Sequence, residues 1–480
     1  MIDSATLNRA AHVLRRVTGD MPADAALRAE LAANRRLRPD ERRAVTRAVF
    51  ACYRWRQWLD PRESLQNQVA AAVAWQERFD QNPASIKPAA LAARAVPAWL
   101  RAEFAISPEY LRQLQREPTL WLRTRTGQTD AVARALGDCA AAAPKISSFE
   151  FWVSSLEPGT PNPKPGTRNS EPGTTFLATA LRYTGSRDLF RTEAFQAGLF
   201  EIQDLASQLV GHACAPQPGE MWWDACAGEG GKTLHLADLM QNKGLVWATD
   251  RSARRLTLLQ RRAARAQVFN YRSAMWDGSA QLPARTRFDG ILIDAPCSGV
   301  GTWQRNPHAR WTTTLDDVHE LAVIQRLLLE HVVPALKPGG RLVYSVCTLT
   351  RSETTDIAES FTAAHPELEP VPVFPAPPST SIANPPSSPA APLRDEPRRR
   401  LGEGGPHSLT PSLPSSLPSL FPFSPTPSLP HSLPPFLPYS PFPSLPHSPI
   451  PSLPSLPSSA FLLPHELDAN GMFLAAWKKR

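Results

Sequence analysis

The stretch Phe288-Asp-Gly-Ile-Leu-Ile-Asp-Ala-Pro-Cys-Ser-Gly-Val-Gly-Thr-Trp303 decides how the rest of the chain is read. An apolar run reaches Asp294 and breaks at once into Pro-Cys-Ser-Gly. Short apolar runs bounded by turn residues are buried strands of the kind found in parallel sheets. A strand that delivers a carboxylate and a thiol to its C-terminal end points to a ligand site, because open α/β sheets bind ligands there. Three further segments give it meaning: the Gly-rich turn Asp224–Thr233, the acidic strand end Asp250, and a second cysteine, Cys347.

Outward from this stretch, strands and helices alternate. Strands are expected at 221–226, 245–250, 288–294 and 341–345, and helices at 232–240, 253–266, 315–335 and 353–362. The alternation predicts an α/β, Rossmann-like domain with a mostly parallel sheet covered on both faces. Upstream, Ser4 is expected to cap a first helix, Pro22 to open a second and Pro39 a third. A strand at 119–125 and a helix at 129–136 suggest a small α/β module. The expected division is an all-α domain at 1–115, a linking α/β module at 116–199 and a catalytic domain at 200–480. The module would hold a disordered loop at 155–175, where Glu-Pro-Gly-Thr occurs twice. Residues 375–459 are built of Ser-Leu-Pro and Pro-His-Ser units and read as a Pro-rich disordered insert. Order resumes near Phe461, with a turn at Asp468-Ala-Asn-Gly471 and a closing strand at 472–477.

Composition narrows the function classes. Lysine and arginine number 52 against 44 acidic residues, a net charge of +8, which favours an anionic partner. The six cysteines form no CxxC pair and have no histidines at metal-ligand spacing, so no metal site is expected. No apolar run approaches the roughly 18 residues that span a bilayer. The reading is a cytoplasmic protein with reduced thiols and no membrane association. Arg42, Arg43, Arg47, Arg54 and Arg56 beside Tyr53, Trp55 and Trp58 can track phosphate and stack bases, although a solvated helix surface explains any one of these arginines equally well. Cys52 lies on an apolar stripe and reads as core.

The turn Asp224-Ala-Cys-Ala-Gly-Glu-Gly-Gly-Lys-Thr233 joins a strand to a helix. Its glycines allow close backbone approach to a ligand, and the helix N-terminus offers free N–H groups. It has neither the phosphate-loop spacing nor GxGxxG. Asp250 follows Gly230 by twenty residues, where a carboxylate can hold a ribose diol, and Asp277 follows the third strand region. A nucleoside cofactor without a pyrophosphate, such as S-adenosylmethionine, suits this better than NAD. Tight packing alone is the competing explanation of the turn.

Cys297 and Cys347 follow two strands that can be neighbours. Two thiols, a carboxylate and a methyl donor suit methylation of cytosine C5. A thiolate adding to C6 turns the ring into a carbon nucleophile at C5. One cysteine can be the nucleophile and the other the base or its partner. Asp294 can bond the N3/N4 edge of the ring. The base would have to be unstacked or in a loop.

With these residues in hand, the chain resembles the Nol/Nop/Sun family of RNA cytosine-C5 methyltransferases, and most of all its bacterial Sun (Fmu) branch, which acts on 16S ribosomal RNA. The resemblance rests on Gln203-Asp-Leu-Ala-Ser207, Cys226-Ala-Gly-Glu-Gly-Gly-Lys-Thr233, Asp294-Ala-Pro-Cys-Ser-Gly299 with Arg305-Asn-Pro307, and Tyr344-Ser-Val-Cys-Thr348. It covers roughly 180–370 and, less strongly, 461–477. The N-terminal helices resemble the NusB-like RNA-binding domain joined to this branch. The resemblance implies that Cys347 is the nucleophile and that Cys297 assists product release. DNA cytosine methyltransferases use the Pro-Cys thiol instead. It also implies an S-adenosylmethionine pocket lined by Cys226, Ala227, Gly228, Glu229, Gly230, Gly231, Lys232, Asp250, Asp277 and Asp294. The partner would be ribosomal RNA, with the protein a monomer. Gly228 and Glu229 depart from the usual family loop, and Glu229 can pair with Lys232. The competing readings are a non-catalytic RNA-binding factor on this fold and a tRNA or DNA cytosine-C5 methyltransferase.

Overall fold

The computed structural model describes residues 2–142, 177–282, 286–374 and 458–480. The expected loop at 155–175 lies outside them, as does the expected insert except for its last two residues. Ser459 already belongs to a strand, so order resumes two residues before Phe461. No helix of the described residues is long and apolar enough to cross a membrane.

The first hundred or so residues are helical. The main helices are Ser4–Arg15, Ala23–Ala33, Pro39–Arg54 and Leu65–Gln81, with shorter ones at Pro88–Arg94, Leu100–Glu103 and Pro108–Gln113. The first is capped one residue earlier than expected: Asp3 accepts from the Thr6 amide at 2.8 Å. Val49, Trp55, Phe79, Leu91 and Tyr110 form the core of this region, and Cys52 is buried among them. The arginine cluster divides. Arg54 and Trp55 are buried, and the Trp55 indole donates to Gln76 at 3.1 Å. Arg42 donates to the Leu31 carbonyl at 3.0 Å, and Arg47 pairs with Glu117 and Asp80. Arg43 and Arg56 remain exposed. Periodicity missed this because an arginine stem packs on apolar surface as readily as a leucine does.

A small antiparallel sheet follows, made of β1 (Leu120–Thr124), β2 (Cys139–Ala141), β3 (Ala180–Tyr183) and β4 (Phe200–Ile202) in the order β2-β3-β1-β4. The main sheet holds β5 (Met221–Asp224), β6 (Leu245–Asp250), β7 (Tyr271–Met275), β8 (Phe288–Asp294), β9 (Leu336–Val346), β10 (Leu368–Pro370), β11 (Ser459–Leu462) and β12 (Met472–Lys479). Its order is β10-β12-β9-β8-β5-β6-β7, with β11 also on β12. Strands β5 to β9 are mutually parallel, and β12 enters antiparallel beside β9. The order turns back between β5 and β8, the switch point at which such sheets bind ligands.

The main sheet accommodates residues 375–457 through a local arrangement. Strands β10 and β11 pair with successive parts of one edge of β12. The Val371 amide donates to the Ala476 carbonyl, and the Ala476 amide donates to the Ser458 carbonyl, both at 3.0 Å. The chain therefore leaves and re-enters the sheet at one residue. Closing even a long loop between adjacent ends costs little more than closing a short one.

The helical region and the loops that follow β8 and β9 share one core. Val300, Trp303, Ala309 and Leu349 pack among the N-terminal helices. Arg310 is fully buried and donates to the carbonyls of Ala95 at 3.0 Å and Leu114 at 2.9 Å. Burial pushes its guanidinium down to about 9. The Trp311 indole donates to the Tyr53 carbonyl at 2.6 Å. Replacing Arg310 by alanine orphans two helix-end carbonyls, and we expect it to cost about 2–4 kcal/mol. Urea unfolding should remain a single transition with a lower midpoint. Two separated transitions, with the helices alone destabilised, would contradict the shared core.

Candidate active site

Strands β8 and β9 run parallel with Asp294 opposite Ser345. Their C-terminal extensions therefore carry Cys297 and Cys347 out of the sheet side by side, and the two Sγ atoms lie 3.3 Å apart. Cys297 is buried, whereas Cys347 is partly exposed. The hydrogen bond from the Cys297 thiol holds Cys347 below the usual thiol range, against burial, with Lys232 and Arg305 adding to the effect. The same contact, followed by burial and the charge of Glu353, pushes Cys297 up. The contact thus shifts the two thiols in opposite directions, Cys347 down and Cys297 up, an asymmetry that a single cysteine cannot reproduce.

The Gly-rich turn lies beside this pair, above β5. Its backbone is tied to both neighbouring strands: the Ala225 amide donates to the Leu292 carbonyl at 2.9 Å, and the Ala227 amide to the Thr249 carbonyl at 2.8 Å. Gly228 and Gly230 have φ of +55° and +85°. A Cβ on Gly230 would lie 2.6 Å from the Leu259 side chain, whereas one on Gly228 would meet nothing within 4 Å. Gly230 is therefore required for packing, and Gly228 faces open space. Helix Gly231–Leu239 starts from this turn. Cys226 is partly exposed, and burial keeps its thiol protonated.

Lys232 Nζ lies 2.6 Å from Asp294 Oδ2, while Asp294 Oδ1 accepts from Ser345 Oγ at 2.8 Å. Burial works against the Lys232 ammonium, but the Asp294 charge outweighs it and raises its pKa. Lys232 thus pairs with Asp294 and not with Glu229, whose carbonyl accepts from Arg262 at 3.0 Å. Asp250 is buried, and both of its oxygens accept backbone amides, Gly228 at 3.0 Å and Ser252 at 2.8 Å. Asp277 is exposed one residue past Trp276, whose amide reaches the Asp250 carbonyl at 3.3 Å. Its carboxylate accepts from Ser279 at 2.9 Å, which lowers its pKa. The structure thus gathers Lys232, Asp294, Cys297 and Cys347 in one cluster. Gly228 and Asp250 lie beside it, and Asp277 stands at the rim.

Sequence reasoning missed two groups. Asp224 is fully buried at the end of β5, where Thr233 Oγ donates to it at 2.7 Å, and burial pushes it up to about 7. Glu353 is buried beneath the Pro-Cys-Ser loop. The signal for Asp224 was its place as the last strand residue before the glycine turn. Glu353 gave none, since one carboxylate early in a helical pattern reads as a favourable first-turn charge.

A sheet with this order and a site at its switch point define the Rossmann-like methyltransferase fold. The solved structure of PH0851 covers 100% of this chain and 100% of its own with a TM-score of 0.65 at 19% identity, and so shows the same fold. The family described as 16S rRNA methyltransferase RsmB/F matches residues 212–386. A probable ribosomal RNA small subunit methyltransferase B of Bacillus subtilis (strain 168) is 39% identical over 181 residues, 37% of this chain and 40% of that protein. The tRNA (cytosine(72)-C(5))-methyltransferase NSUN6 of Mus musculus is 39% identical over 168 residues, 32% of this chain and 35% of that protein. The chain thus matches about two fifths of the length of these curated relatives.

The thiol asymmetry is directly testable. We expect iodoacetamide to modify Cys347 first, at a pH below the ~8.5 of a free thiol, with Cys297 lagging. Peptide mass spectrometry against pH checks this. Lys232→Gln should move the Cys347 profile upward.

Proposed function

We propose that the chain is an S-adenosylmethionine-dependent RNA cytosine-C5 methyltransferase that acts on ribosomal RNA, of the 16S type, as a monomer in the cytoplasm. The observation that carries this reading is the contact between Cys297 and Cys347 at the ends of two adjacent parallel strands, with the lowered pKa on the more exposed sulfur. The RsmB/F match and the small-subunit methyltransferase relatives support the RNA class. Their names also favour ribosomal RNA over DNA.

The residues present fit the cofactor. Gly228 opens onto free space, the helix after it starts at Gly231, and Asp224 Oδ1 is buried without a hydrogen-bond partner among the described residues. In this reading residues 226–232, Asp250, Asp277 and Asp294 hold S-adenosylmethionine. The group supplies a methyl carried on a sulfonium sulfur.

Cys347 Sγ adds to C6 of the cytosine, and the electron pair of the C5–C6 double bond moves toward C5. Asp294, held by Lys232 and Ser345, accepts from the N4 amino group and so orients the ring for attack. C5 would then take the methyl group, the S–CH3 bonding pair staying on the donor sulfur as a neutral thioether. The C5 proton then leaves to water, its electron pair restores the C5–C6 double bond, and the C6–S bond breaks with its pair returning to Cys347 as thiolate. Cys297 assists by donating its S–H to that sulfur, which it already touches at 3.3 Å.

Radiolabelled methyl transfer to unmodified 16S ribosomal RNA, with transfer RNA and DNA in parallel, tests the substrate class. RNA binding without transfer would leave only a binding factor, and preference for transfer RNA would support the reading that the mouse relative suggests. We expect Cys297→Ala to trap a denaturation-resistant RNA adduct through Cys347 and Cys347→Ala to form none. An adduct that depends on Cys297 alone would reverse the two roles.

A further inference from the structure

Glu353 is a buried carboxylate that the steps above do not use. It closes the short turn Arg351–Glu353 that follows the Cys347 strand end, and it is fully shielded from solvent. Its Oε1 accepts from the Ser298 amide at 2.8 Å and from Gln325 Nε2 at 3.0 Å. Its Oε2 accepts from Thr350 Oγ1 at 2.7 Å and from Ser298 Oγ. Gln325 also donates to the Pro296 carbonyl at 2.9 Å. The Tyr344 hydroxyl donates to the Glu353 carbonyl at 2.8 Å and to Gln325 Oε1 at 3.0 Å. Ser298 Oγ lies 2.9 Å from Thr348 Oγ1. The residues flanking Cys297 on both sides, and the residue following Cys347, therefore converge on one carboxylate and its glutamine.

Burying a carboxylate is expensive, and an apolar filling would stabilise the same space at lower cost. Burial raises the pKa of Glu353, and its donors oppose that rise. An apolar filling would not fix the Pro296–Ser298 backbone, however. Catalytic groups need their geometry held to a fraction of an ångström, by partners whose own positions are locked. Glu353 bonds directly to Ser298, the residue next to Cys297, but reaches Thr348, the residue next to Cys347, only through the hydroxyls of Ser298 and Thr350. Cys347 leaves the sheet directly from β9, whereas Cys297 stands on a loop between two of the anchored residues.

We infer that Glu353 is a positioning residue: through Ser298 and Gln325 it fixes the loop that carries Cys297, so that this thiol stays in contact with Cys347, and it acts on product release and not on attack. The inference rests on the methyltransferase reading above.

The test uses the full chain, unmodified 16S ribosomal RNA transcript and S-adenosylmethionine in single-turnover reactions. Covalent adduct and methylated RNA are both scored per folded enzyme, with the folded fraction taken from circular dichroism. Glu353→Ala should form the adduct normally and release it roughly 10- to 100-fold more slowly, the effect of unseating a hydrogen-bonded positioning group. Ser298→Ala removes one of the contacts and should slow release by a few-fold, about 3-fold. Glu353→Gln should recover most of the loss, because an amide oxygen can still accept from the Ser298 amide and Gln325 while the hydroxyls of Ser298 and Thr350 reverse direction. Activity that falls only with the folded fraction in Glu353→Ala and Ser298→Ala, without accumulated adduct, would overturn the inference. If Cys297→Ala accumulates adduct in the same assay and these two do not, the inference alone fails. If wild type transfers no methyl group and Cys297→Ala forms no adduct, the reading beneath it fails as well.

Discussion

Gly301 joins three stretches that are far apart in the chain. Its amide donates to the Cys347 carbonyl at 3.1 Å, and its carbonyl accepts from the Gly471 amide at 2.8 Å. A Cβ at this position would lie 2.0 Å from the Gly471 carbonyl oxygen. The Cys297 loop, the end of β9 and the turn before β12 therefore meet backbone to backbone, an approach that only glycine allows. The thiol contact depends on this close approach. So does the seating of the closing strand, because the turn at Asp468–Gly471 is itself anchored to the rest of the protein. The Trp121 indole donates to the Asp468 carbonyl at 2.9 Å, Gln113 donates to its carboxylate at 2.8 Å, and Asp204 accepts from the Asn470 amide at 3.1 Å. The helical region, the small sheet and the main sheet converge on one turn.

The electrostatics of the site follow from burial. An uncompensated charge in an apolar interior is costly, so each group there is paired or pushed toward its neutral form. Lys232 and Asp294 form a pair. Asp224 and Glu353 have no cationic hydrogen-bond partner among the described residues, and burial raises both. Cys347 is held below the usual thiol range by its contact with Cys297 and by nearby cations, while the same contact, burial and Glu353 push Cys297 up. Two identical side chains thus acquire different chemistry from their positions alone.

The cationic surface is smaller than the composition suggests. Of the five arginines clustered at 42–56, Arg54 is buried and Arg42 and Arg47 are engaged with the protein, leaving Arg43 and Arg56 exposed without such partners among the described contacts. Arg310, further along, is spent wholly on carbonyls that join the helices to the Cys297 side of the sheet. Guanidinium suits this use, since its planar fork of donors satisfies several helix-end carbonyls together. Arginine count is therefore a poor measure of exposed cationic surface in this chain.

Much of this protein was legible in its residues. Apolar runs ending in Asp224, Asp250 and Asp294 read directly as parallel strands, because strand periodicity and turn residues are local properties. The same holds for the glycine turn and the two cysteines as candidate chemistry. The sequence could not show that Glu229 leaves Lys232 to Asp294, that Arg54 and Trp55 are core, or that Glu353 and Gln325 underlie Cys297. Each of these depends on partners distant in the chain, and a charged residue looks the same in sequence whether it meets water or a buried donor. The chain by itself determined the order of strands and helices and the chemical groups at their ends. Only the tertiary structure decided which groups touch, because a parallel sheet brings strand ends together by register and crossover, and the opposed shifts of Cys297 and Cys347 exist only at contact distance.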